Sequence, residues 1–201
     1  MNVGANAWRA RTRVLGLVLA VAGLWSGGVL AQTSSGAIPD GRGRVVALAA
    51  GNDAACALND RGAAQCWGDD WFGTLVPPRG NFTAVTVSDR FACGLHSDGS
   101  ADCWGGSNSV RAVPAGETFT TLAAGGGHVC ALRGNGSVLC WGDNTYGQAA
   151  PPNKTRYVAL SAGYQHTCGL GADGVAACWG NNVAGSTSVP ANERFTAITS
   201  G

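Results

Sequence analysis

Apolar positions along this chain fall in short runs of about four to six residues, separated by glycine-rich polar breaks. Val45-Val-Ala-Leu-Ala-Ala50 is the first such run after the N-terminal region, and Phe82-Thr-Ala-Val-Thr-Val87 and Tyr157-Val-Ala-Leu-Ser-Ala162 are its equivalents. Runs this short, bounded by turn residues, predict strands joined by hairpins rather than helices.

The runs recur with a period. Cys56, Cys93, Cys130 and Cys168 are spaced by 37, 37 and 38 residues, and Cys66, Cys103, Cys140 and Cys178 follow each of them by ten. Each second cysteine opens a Cys-Trp-Gly triplet, and a proline follows eleven or twelve positions on, at Pro77, Pro114, Pro151 and Pro190. An apolar residue opens each unit: Val45, Phe82, Phe119, Tyr157, and once more Phe195. A fixed period of this length marks a repeat architecture. The units span approximately residues 44–81, 82–118, 119–156 and 157–194, followed by the opening strand of a fifth at 195–201.

Each unit resolves into three strands. The first is the opening run, whose small residues suit a crowded inner position. The second passes through the first cysteine to Leu58, Leu95, Leu132 or Leu170, and the third carries the second cysteine and the tryptophan. An odd number of residues separates the cysteines, so a directly opposed pair requires an odd-numbered loop. A three-residue loop with a G1 bulge needs a left-handed residue at its third position, best supplied by glycine. Gly62, Gly99, Gly136 and Gly174 occupy that position. The register then sets Cys56 opposite Cys66, Cys93 opposite Cys103, Cys130 opposite Cys140 and Cys168 opposite Cys178.

Residues 1–31 read as a secretory signal. Arg9, Arg11 and Arg13 form the positive n-region, Val14 to Trp25 the apolar core, and Val29 and Ala31 the small residues before a cut at Gln32. An uncleaved anchor is the alternative, and would be the chain's one route to a membrane. Residues 32–43 read as a flexible leader. Eight cysteines in an exported chain predict four disulfides. Zinc fits less well, because two ligands per unit cannot close a tetrahedral site and no Cys-x-x-Cys spacing occurs. No cofactor is expected. His128 and His166, each two residues before a first cysteine, read as hydrogen-bonded structural residues, and the repeated tryptophans as core between units.

Composition narrows the partners. Charged residues are only 12% while Gly numbers 32 of 201, which suits many turns and few charges. Without the three signal arginines, ten basic residues face twelve acidic ones, about −2. No basic stripe remains, which excludes nucleic acid as an expected partner.

Ala162-Gly-Tyr-Gln-His-Thr-Cys-Gly-Leu170 with Asp173-Gly174 and Cys178-Trp-Gly-Asn181, and Ala124-Gly125, His128, Ala131-Leu132 and Trp141-Gly-Asp-Asn144 with Gly147-Gln148, resemble the regulator of chromosome condensation repeat. The resemblance covers residues 44 to 201. It implies a β-propeller, seven-bladed in that family. The short units resemble more closely the bacterial propeller-fold β-lactamase inhibitory protein, whose blades have three strands. Seven such units would need about 260 residues. The expected fold class is therefore all-β, a partial β-propeller of four blades, either a portion of a longer ring or an open arc. A closed four-bladed ring is the less favoured form.

Strand parity places the loops between first and second strands on one face with the blade-to-blade links, and the glycine hairpins on the other. Residues on the loop-rich face that differ between matched units are the candidates for partner binding: Trp71, Phe72, Arg90, Phe91, Arg111, Tyr146, Lys154, Arg156, Tyr164 and Gln165. The expected function is a non-enzymatic, extracytoplasmic module that engages a protein partner. A cell-surface carbohydrate-binding or structural role is the alternative, with Trp71 and Tyr146 stacking on sugars, and β-lactamase inhibition is a narrower form of the first. Catalysis is not expected, since the acidic residues have no matched base and no nucleophile motif is present.

Overall fold

The computed structural model describes residues 43–152 and 155–201. The signal segment, almost all of the leader and Lys154 lie outside the described residues. Twelve strands and one short helix follow in chain order: β1 Val45–Ala50, β2 Ala54–Asn59, β3 Ala64–Gly68, β4 Phe82–Val87, β5 Phe91–His96, β6 Ala101–Gly105, α1 Asn108–Arg111, β7 Thr121–Ala124, β8 His128–Leu132, β9 Val138–Gly142, β10 Ala159–Ala162, β11 His166–Leu170 and β12 Ala176–Gly180. They form four separate three-stranded antiparallel sheets, β1-β2-β3, β4-β5-β6, β7-β8-β9 and β10-β11-β12. These are the blades of a partial propeller, stacked in chain order and not closed into a ring.

Hairpin chemistry fixes the register. In the first blade the Asn59 N–H donates to the Ala63 carbonyl at 3.0 Å and the Gly62 N–H to the Asn59 carbonyl at 2.9 Å, with Gly62 at φ +79°. The same pair of bonds closes the hairpins at His96, Arg133 and Gly171. Counting back from the bonded closing pair, opposed residues alternate between bonded and non-bonded sites, and the cysteines fall on a non-bonded site where side chains lie closest. Cys56 faces Cys66, Cys93 faces Cys103, Cys130 faces Cys140 and Cys168 faces Cys178. Each pair is a disulfide, with Cα atoms 4.0–4.1 Å apart.

The core lies between blades. Cys56, Leu58, Phe82 and Trp104 pack between blades one and two; Cys93, Phe119, Leu122 and Trp141 between two and three; Cys130, Tyr157, Leu160 and Trp179 between three and four. Each first strand is followed by a small residue, Gly51, Ser88, Gly125 or Gly163, because the blades nearly touch there. A Cβ added at Gly51 would lie 2.3 Å from the Ser88 carbonyl oxygen, and the Ser88 hydroxyl donates to the Gly125 carbonyl at 2.6 Å.

Two expectations need correction. Trp67 is not core but 49% exposed, because no described residue packs against the leading face of its blade. Residues 195–201 carry no strand pairing, since no described second strand lies beside them. They nevertheless hold the first-strand place. The Phe195 N–H donates to the Gly174 carbonyl at 2.8 Å, as Phe82, Phe119 and Tyr157 do to Gly62, Gly99 and Gly136, and the Ser200 N–H donates to Ser161 Oγ at 2.8 Å.

Candidate functional site

The links leaving β3, β9 and β12 start with the same device. A side-chain oxygen folds back on the backbone two residues ahead: Asp69 Oδ1 accepts from the Trp71 N–H, Asp143 Oδ1 from Thr145 and Asn181 Oδ1 from Val183. Such Asx turns set the link tips rigidly and push the following side chains outward. Trp71 is 84% exposed, and Phe72 and Tyr146 are also exposed. The Thr145 hydroxyl and backbone N–H hold the Asp143 carboxyl below the usual carboxylate range, with Gln148 Nε2 donating to it at 2.9 Å.

Blade two completes the first cluster. The Arg90 guanidinium lies 5.0 Å over the Phe72 ring, a cation–π contact, and the Thr74 hydroxyl donates to the Arg90 carbonyl at 2.9 Å. Trp71, Phe72 and Arg90 therefore form one patch at the junction of two blades. Two blades on, Tyr146 and Gln165 stand at the same offsets from their cysteines as Phe72 and Arg90 do from theirs. Tyr164 is exposed beside Gln165, and its ring lies against Gly126, where a Cβ would come within 2.6 Å of it. Gln165 is held by Asn181, whose Nδ2 donates to its Oε1 at 2.7 Å.

Not all candidates share this surface. Phe91 is 1% exposed, packed with Val110 and Val129 as the first residue of β5, so it is core and open to no partner. Arg156 sits at the opposite face, its guanidinium donating to the Asn135 carbonyl beside the Gly136 hairpin. The reason is geometric: a link begins on the loop face but must deliver the next first strand from the hairpin face, so its last residues have crossed over. Arg111 ends α1 on the intermediate stretch of the second link, paired to Asn108 Oδ1. Val183, 93% exposed, was missed. It lies five residues after Cys178, as Trp71 does after Cys66, and that spacing would have found it.

His128 is structural in its surroundings. His128 is fully buried, its Nε2 2.7 Å from the Thr167 hydroxyl. That hydroxyl donates to the Gln148 carbonyl at 3.1 Å, so the imidazole carries its proton on Nε2. Burial pushes its pKa down to about 4, keeping the ring neutral. His96 pairs with Asp102 at 3.0 Å on the outer part of blade two. Among the described residues no cluster of three or more His, Cys, Asp or Glu side chains could hold a metal ion.

Comparison with known proteins follows the same lines. Residues 119–148 and 157–186 match the family model of the regulator of chromosome condensation (RCC1) repeat. No curated protein matches the chain. Among solved structures, the ectodomain of the Physcomitrella patens receptor kinase CR4 is 30% identical, with a TM-score of 0.66 over 78% of this chain and 45% of its own. The CRINKLY WD40 ectodomain of the Arabidopsis thaliana receptor kinase ACR4 is 29% identical, with a TM-score of 0.66 over 79% of this chain and 56% of its own. Prp20p of Saccharomyces cerevisiae, at 15% identity and a TM-score of 0.65 over 79% and 50%, shares the fold. The chain thus spans about half the length of these structures.

Proposed function

We propose that this chain, built of regulator of chromosome condensation repeats, is an extracytoplasmic binding module that engages a protein partner through the aromatic tips of its blade links. One observation carries the reading: Trp71, Phe72 and Arg90 gather at one blade junction, the first two beside an Asx turn, and Tyr146 and Tyr164 are exposed at the corresponding junction two blades further on. Aromatic and arginine side chains held in place lose little entropy on binding and dominate interface energies. Four disulfides, the signal-like N-terminus and the likeness to receptor ectodomains support a location outside the cytoplasm. The partner is expected to be flat or convex and to contact two or more links at once.

The test compares faces. A photo-crosslinking residue placed at Trp71 or Tyr146 should capture one envelope protein that the same residue at Asp60 or Asp173, in the hairpins, does not. Equal capture from both faces overturns the reading. Binding to a glycan array that is lost in Trp71→Ala would transfer the same patch to carbohydrate recognition.

A further inference from the structure

The fifth residue after each second cysteine is exposed in all four links: Trp71, Asn108, Thr145 and Val183. Exposure of Trp71 therefore belongs to the position, interior blades included, and not to its place in the first blade. Only the first link puts two aromatics there, Trp71 and Phe72, and Trp71 is 84% exposed.

The same link is set apart by charge. Asp69-Asp70 stands where the later links have Gly106-Ser107, Asp143-Asn144 and Asn181-Asn182. Asp70 Oδ1 accepts from the Leu75 N–H at 2.8 Å, and Asn144 and Asn182 accept from Ala149 and Thr187 in the same way at 2.9 Å. Asn181 likewise makes the turn that Asp69 makes. The turn thus needs a side-chain oxygen and no charge, so the two negative charges beside Trp71 are surplus to the fold. Asp53, whose carbonyl accepts from the Asp69 N–H at 2.7 Å, and Asp89, whose backbone abuts Gly51, add two more. Among the described residues no cation forms an ion pair with any of these four, and Arg90 keeps its guanidinium over Phe72. The hairpin face is balanced by contrast: Arg133 pairs with Glu117, and Arg61 follows Asp60. Among the described residues the carboxylates form no group that could hold a metal ion, so their charge is spread around the rings rather than focused on one point.

We propose, resting on the loop-face function stated above, that the partner docks on the first link through a lysine- or arginine-rich protein segment. Its cationic groups lie over the open indole of Trp71 and pair with the carboxylates of Asp69, Asp70 and Asp53. An aromatic face attracts a cation through its quadrupole, and surrounding carboxylates add to that attraction while repelling acidic competitors. The aromatic rings supply the apolar contact for the methylene stems of the same side chains. One patch therefore recognises both parts of a lysine or arginine.

Fluorescence anisotropy of the purified protein with labelled decalysine and decaglutamate tests this. Decalysine should bind, more weakly as salt rises, and decaglutamate should not. The double variant Asp69→Asn/Asp70→Asn keeps both turns, as Asn181-Asn182 does, and should weaken decalysine binding about tenfold. Trp71→Ala should weaken it about fivefold, and Asp60→Asn/Asp173→Asn in the hairpins less than about twofold. Equal binding of the two peptides, or equal losses from the link and hairpin variants, would overturn the proposal. A photo-crosslinking residue at Tyr146 separates it from the reading on which it rests. Capture of the partner should fall in the Asp69→Asn/Asp70→Asn background. Undiminished capture there would remove the cationic segment and leave the loop-face reading standing, whereas equal capture from the hairpins would remove both.

Discussion

The indole N–H of Trp141 donates to the carbonyl of Val110 at 2.9 Å, tying the third blade to the link of the second. Both groups are buried, so loss of the donor strands an acceptor. Trp141→Phe should destabilise by about 1–2 kcal/mol, the usual cost of an unpaired buried polar group. Trp141→Ala should cost about 3–5 kcal/mol, since it also opens a cavity. Trp67→Ala, at a face that no described residue covers, should cost below about 1 kcal/mol. Urea unfolding of the three variants checks the order, and a larger loss at position 67 than at 141 would contradict this account of the junctions.

Acid should weaken the boundary between the third and fourth blades. Burial lowers His128 from 6.5 to about 4, with Asp143 opposing the shift and His166 adding to it. The folded state therefore binds fewer protons than the unfolded chain between those values. The stability contributed by the neutral ring is complete above about pH 6.5 and is lost as pH falls towards 4, at up to about 1.4 kcal/mol per pH unit. His128→Gln should flatten the dependence of melting temperature on pH across that window. The lowered carboxylates of Asp98 and Asp143 act in a separate, more acidic window, below their unfolded values.

Period, strand count and hairpin register were legible in the sequence because they are local: a loop of fixed length with glycine at one position leaves the cysteines a single pairing. The site was less legible because exposure is not local. Phe91 and Arg90 are adjacent, but the first residue of β5 faces into the blade junction while its neighbour faces out to Phe72. Strand parity alone does not show which of two consecutive loop residues begins the strand. Arg156 was misplaced for a related reason, since the point at which a link crosses faces depends on its path over the blade. Trp67 carries the same motif as Trp104, Trp141 and Trp179, and only the stack of blades distinguishes it.

Glycine at the hairpins should not be equally replaceable. All four have φ near +80°, so any alanine there meets left-handed strain of about 1–2 kcal/mol. At Gly62 the new Cβ would also lie 2.7 Å from the Phe82 carbonyl oxygen, a rigid backbone atom, while at Gly136 the equivalent Tyr157 carbonyl oxygen and the Arg156 Cβ both lie 3.2 Å away. Gly62→Ala should therefore unfold at lower urea than Gly136→Ala, and equal midpoints would show that the hairpin shifts freely against the next blade.

The four disulfides close loops of identical separation, so each constrains the unfolded chain equally, by about 3 kcal/mol on the chain-entropy account. Their ease of reduction should still differ, because a thiolate must reach the sulfur it attacks. Cys56, Cys93 and Cys130 are completely buried, whereas Cys168 keeps 7% exposure and, with Cys178, lines the open cleft of the trailing blade. Mild reductant followed by alkylation and mass spectrometry should label Cys168 and Cys178 first. Simultaneous labelling of all four pairs would mean that reduction follows global unfolding rather than access, and would separate the fate of the cleft from the stability of the fold.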